Sequence, residues 1–283
     1  MSGAQEIDVA KLARMRAARY RKLVLAGRVG TLVFIVGAWQ LLTDYKIIDP
    51  FFAGSPLGII ERLADWFTHG TAYGSFWYQI WVTMEESLLG FFAGVTAGVF
   101  FGVLLGEIPL LSDILTPYIK VVNALPRIVL GSIFVIWLGL GLPSKVMLAA
   151  VLVFFVVFFN AYQGVKSVDR NLVNHARILG ASRLEVVWHV VVPSATSWII
   201  ASLHVALGFS IIGAIVGEFL GAQHGLGLVI ATAQNNFDTD GVFGAMLIIG
   251  IIAISAEGLM AMAEKRLLAW RPARASENEA GGI

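Results

Sequence analysis

Cysteine is absent from the 283-residue chain, which removes thiolate nucleophiles, disulfides, iron–sulfur clusters and Cys-ligated zinc together. The five histidines, at positions 69, 175, 189, 204 and 224, fall at no HExxH-type spacing, so no metal site is expected. No GxxxxGK(S/T) segment occurs, and the chain therefore has no loop of its own to cradle a nucleotide phosphate. No nucleophile, base and orienting group come together in the pattern, so no catalytic residue is expected. What remains is a few polar side chains in apolar surroundings: Arg127 beside Pro126, His204, Glu218 and Glu257. Ionisable groups at membrane depth are expensive and mark solute paths by default. Arg127, His204 and Glu218 are candidate path residues, with pairing between helices or anchoring at a membrane face as the alternatives.

A second concentration of polar residues is a 28-residue stretch from Lys166 to Pro193. Its pattern predicts a helix over Val168–Leu179, a break at Gly180, and a second helix over Ser182–Val192 ahead of Pro193. Such a helix-turn-helix would form a docking surface. Ala176, Gly180 and Ala181 permit close approach, and Asn174, His175, Arg177, Ser182, Arg183 and Glu185 supply polar contacts.

The elements that position these residues follow from composition. Apolar residues make up 58% of the chain and charged residues 14%, with a mean hydropathy of +0.79; soluble domains run at about 45–50% and about 25%. An all-α polytopic membrane protein is expected. Its six transmembrane helices lie around Val29–Thr43, Ser87–Gly106, Ile128–Ser144, Val146–Val165, Val190–Gly217 and Gly241–Ala256. The domain plan is a basic N-terminal segment (1–28), a transmembrane domain (29–263) containing the polar loop at about 166–193, and a C-terminal tail (264–283). With both termini cytoplasmic, seventeen of the twenty Lys and Arg residues fall on the inner side, leaving Lys46, Arg62 and Lys145 outside. Net charge is only +1, so nucleic acid is not an expected partner, whereas membrane lipid is. Ser55-Pro56 predicts the start of a short helix at the outer interface, and glycines at 90, 94, 98, 102 and 106 predict a smooth packing stripe on the second span.

The segment Asn174-His175-Ala176-Arg177-Ile178-Leu179-Gly180, nine residues, Val190, one residue, Val192-Pro193 resembles the EAA loop of permease subunits in bacterial ABC importers. Asn174 and His175 stand in place of Glu and Ala. Gly180-Ala181-Ser182, Leu125-Pro126-Arg127, Trp137-Leu138-Gly139-Leu140-Gly141, Gly225-Leu226-Gly227 and Glu264-Lys265-Arg266-Leu267-Leu268-Ala269-Trp270 resemble the nitrate/sulfonate/taurine-type subfamily. The resemblance spans Leu57 to Trp270 and implies a type I importer of the bacterial inner membrane. It implies separate ABC ATPase subunits that bind ATP and magnesium, no cofactor in this chain, an extracytoplasmic substrate-binding protein, a second permease copy, and a small solute moved inward, an anion such as nitrate, a sulfonate or taurine, or, within the same subfamily, riboflavin or a pyrimidine precursor. The polar loop becomes the EAA-type coupling helix that docks on the ATPase, and Asn174 leaves that contact without its usual carboxylate. An ion-gradient-driven secondary transporter is the rival; it would need a relay of acidic or His groups, of which His204 is the nearest approach.

Overall fold

The computed structural model describes the backbone of residues 3–267 and side chains from Arg19 to Arg266. The tail beyond 267 and the side chains of most of the basic N-terminal segment lie outside the described residues. Every extended element among the described residues is helical: α1 (Gly3–Asp44), α2 (Pro50–Ala53), α3 (Pro56–His69), α4 (Phe76–Glu107), α5 (Pro109–Ala124), α6 (Leu130–Leu138), α7 (Leu142–Lys166), α8 (Arg170–Ile178), α9 (Arg183–Val186), α10 (Val192–Leu220), α11 (Leu226–Asn235) and α12 (Thr239–Leu267). Five helical stretches are long and apolar enough to cross a membrane, and the bent pair α5 and α6, taken as one span, brings the number to six.

The interior is built on α4 and α7. Their seam runs along the glycine stripe, which faces α7 residues recurring at the same spacing, namely Ala149, Val153, Val157, Ala161 and Val165. Lipid tails are as apolar as leucine, so close van der Waals contact holds helices together here. At Gly98 an added Cβ would stand 2.8 Å from Val157 Cβ and 3.0 Å from the Phe154 carbonyl, so hydrogen is the only side chain that fits. The stripe is thereby assigned to a seam within the subunit. α10 packs on α7 and α4 through Phe91, Val153, Val157, Ala206 and Leu207.

Two further clusters define the ends. One joins Trp66, Phe76, Leu226, Val229 and Ala245; the other joins Val165, Val186, Val191 and Ala195 beneath the polar loop. The short helix foretold by Ser55-Pro56 is α3, where the Ser55 hydroxyl accepts the Gly58 N–H at 3.0 Å. α12 is tied to it near the same end, because Asp240 accepts the Ser55 N–H at 2.7 Å and Arg62 Nε pairs with Asp238 at 2.9 Å.

The structure corrects the expected spans at four points. α1 runs unbroken through the basic segment into the first span. The third crossing starts at Pro109 rather than Ile128, carries Lys120 on α5, and breaks at Leu125-Pro126, with its halves bent by 77°. Pro126 has no N–H to continue α5, and the residue before a proline is pushed out of the helical region; Leu125 accordingly has φ −66°, ψ 141°. Lys145, placed in an outer turn by its charge, lies in the first turn of α7 and is fully buried. Finally, α11 had no expectation behind it at all.

Candidate functional site

The polar loop folds as a hairpin whose spacing has a local cause. Asp169 caps α8, its carboxylate accepting the Asn171 N–H at 2.8 Å. The helix closes in a Schellman arrangement: Gly180 takes φ +90°, its N–H bonds to the Arg177 carbonyl at 3.0 Å, and the Ala181 N–H reaches the Ala176 carbonyl at 3.1 Å. Ala176 and Ala181 meet on the inner side, against Val165 and Val186. Ser182 then starts α9 with a capping box, giving its N–H to Glu185 at 2.7 Å and accepting the Glu185 N–H at 3.3 Å.

The second helix departs from the expected Ser182–Val192. α9 ends at Val186 and passes through a π-turn, Val187–Val191, directly into α10. Pro193, exposed in the first turn of α10, cannot donate to the ladder and would press on the carbonyl four residues back; widening the preceding turn accommodates it. No loop separates the hairpin from the span.

Burial sorts the docking residues. Asn174, His175, Arg177, Gly180, Ser182 and Arg183 are exposed, while Ala176 and Ala181 face the bundle. Ile178 and Leu179, which sequence reasoning passed over, are 83% and 87% exposed at the turn. An apolar tip ringed by polar side chains is the anatomy of a protein-binding patch.

The three candidate path residues lie apart. His204 on α10 reaches α12, with Nδ1 at 2.5 Å from Glu257 and Nε2 at 2.9 Å from Glu264. The pairing weighed for it from sequence is therefore present. Glu218 is enclosed: Oε1 accepts the Thr83 hydroxyl and Oε2 the Gly227 N–H, each at 2.6 Å. α4 completes this knot, because Thr83 accepts the Leu226 N–H and Gln79 the Gly225 N–H, both at 2.8 Å. Together they pin the turn from α10 to α11. Glu86 and Lys145 are buried with them. Sequence reasoning missed Gln79, Thr83 and Glu86, whose recurrence at about one helical turn on α4 was the available signal, and Lys145, which lies across from them in the first turn of α7.

Arg127 was expected at the inner mouth of the third span. It lies instead at the break between α5 and α6, half-buried, bonded to Asn123 and 4.7 Å above the Phe155 ring of α7.

Comparison with known proteins places this arrangement. Residues 94–269 match the profile described as binding-protein-dependent transport system inner membrane component. The chain is 31% identical over 244 residues to the taurine transport system permease protein TauC of Escherichia coli, covering 86% of this chain and 88% of that protein. It is 26% identical over 242 residues to the putative aliphatic sulfonates transport permease protein SsuC of Bacillus subtilis, covering 84% of each. A solved structure of the MetNI methionine ABC transporter in inward-facing conformations shares the fold, with a TM-score of 0.58 at 18% identity over 67% of this chain and 92% of the other. The chain belongs to the binding-protein-dependent transport inner membrane components, the multi-pass permease subunits of ABC importers.

Proposed function

We propose that the α8–α9 hairpin is the surface on which a cytoplasmic ABC ATPase docks, and that a homodimer of this chain imports a small anionic solute of the sulfonate class by alternating access. The observation carrying this reading is the hairpin itself: an apolar tip, Ile178 and Leu179, projecting from a rigidly capped turn that continues without a loop into α10. Motion imposed on the tip is thereby delivered to a membrane span as a rigid-body displacement. The permease holds no phosphate loop in its sequence, and ATP with its magnesium belongs to the partner. An extracytoplasmic binding protein delivers the solute at the opposite end, near the α3–α4 loop. The sulfonate class is supported by the taurine and sulfonate permeases among the relatives.

Coexpression with candidate ATPase subunits from adjacent genes tests the assignment. The tagged wild-type chain should recover an ATPase whose turnover rises with taurine, methanesulfonate or nitrate plus the binding protein. Ile178→Asp combined with Leu179→Asp should cut ATPase recovery at least tenfold. Gly180→Trp, which strains the hairpin turn at φ +90° but meets nothing in the bundle within 4 Å of its Cβ, should abolish stimulated turnover with the spans still folded. Purification of the wild type alone, with uptake driven by an ion gradient, would overturn the reading.

A further inference from the structure

The bilayer constrains what can surround the break in the third crossing. Leu125 and Pro126 leave the helical region, and α6 restarts through a 3-10 turn at Arg127–Val129. The depth of this break follows from Phe155, whose ring carries the Arg127 guanidinium 4.7 Å above it. Phe155 stands 13 residues from the start of α7 and 11 from its end, or roughly 20 and 16 Å at about 1.5 Å per residue. Arg127 therefore lies close to the middle of the membrane.

Two constraints meet at that depth. Backbone outside a helix is tolerated there only where protein buries it or where it lines water, and Leu125, Ile128 and Val129 are each about half exposed. A guanidinium is always ionised and needs a counter-charge or polar enclosure. The groups that hold Arg127 are neutral: the Asn123 side-chain oxygen, the Asn123 carbonyl at 3.4 Å, and the face of Phe155. No Asp or Glu among the described residues pairs with it. Asn123 and Phe155 hold the guanidinium from one edge and one face, leaving part of its planar fork of donors open. Such a fork matches two oxygens of one oxyanion.

We propose that Arg127, presented at the break between α5 and α6, is a mid-membrane binding site for the oxyanion group of the transported solute. This rests on the importer reading above and adds where inside the permease the solute is held. The charge acts at short range and the fork gives orientation, so the site favours sulfonate, sulfate-like or nitrate groups over neutral solutes of equal size.

The test uses the whole transporter, permease with its ATPase. Crystals soaked in selenate, whose selenium marks a tetrahedral oxyanion, should show an anomalous peak within hydrogen-bond reach of Arg127, absent in Arg127→Met. In liposomes with the binding protein, Arg127→Met should lower anion uptake per ATP hydrolysed at least tenfold. Arg127→Lys, keeping the charge without the fork, should fall between that variant and the wild type. Recovery of the ATPase subunit with Arg127→Met at wild-type yield controls for folding, and the wild-type selenate map stands whether or not that variant assembles. A wild-type map with no selenium at Arg127, a carboxylate of the second copy or a lipid phosphate seated there, or a peak unchanged in Arg127→Met overturns the site. Uptake by Arg127→Met equal to wild type does the same while leaving the importer reading intact. Failure of the wild type to move taurine, methanesulfonate or nitrate overturns the proposed solute class instead and leaves the permease family standing.

Discussion

At the scale of single residues, one buried polar knot pins the turn from α10 to α11. Glu218 serves two donors on two elements, the Thr83 hydroxyl and the Gly227 N–H, and removing an acceptor from buried donors costs about 1–3 kcal/mol each. Glu218→Ala should therefore lower the melting temperature of the purified permease well below that of Glu218→Gln, which keeps one acceptor oxygen for the pair. Equal melting temperatures would show that the knot contributes little. Sequence reasoning found Glu218 because a carboxylate in an apolar run is conspicuous. It could not find the partners: Gln79 and Thr83 look like ordinary polar residues until α11 is brought against them, across more than 140 positions. Arg127 was visible for the same reason as Glu218, but its position at a helix break was not, because charge counting assigns every cation to a membrane face and a broken helix has no composition of its own.

At the scale of elements, glycine spacing was the most readable signal. A stripe at every fourth position promises one smooth face, and α7 answers it with small and β-branched residues at the same interval. Gly98→Leu, placing a branched side chain against Val157 and the Phe154 carbonyl, should prevent α4 from seating on α7; little folded protein should survive detergent extraction and gel filtration. Gly208→Ala on α10, with nothing within 4 Å of the new Cβ, is the matched control and should extract like the wild type. The hairpin was legible because its caps are local: Asp169, Gly180 and Ser182 act within a few residues of themselves. The π-turn was not, since it arises from a compromise between Pro193 and packing of Val186 and Val191 against Val165.

At the scale of the whole molecule, the distribution of basic residues predicts sidedness, and taking Arg127 out of the inner count leaves that bias intact. The native chain has no cysteine, so single introduced thiols can be read without background. In spheroplasts, a membrane-impermeant maleimide should label Ala72→Cys, exposed in the α3–α4 loop, and should reach Asn174→Cys on α8 only after permeabilisation; the opposite pattern would invert the topology. The fusion of α9, the π-turn and α10 into one 38-residue stretch, Arg183–Leu220, has a mechanical meaning. At about 1.5 Å per residue it is a lever roughly 57 Å long. Swung by about 10° from its hairpin end, its far tip, where Glu218 grips α11, sweeps through roughly 10 Å. A motor docked on the hairpin, as proposed above, would have a modest stroke at one membrane face geared into an opening at the other.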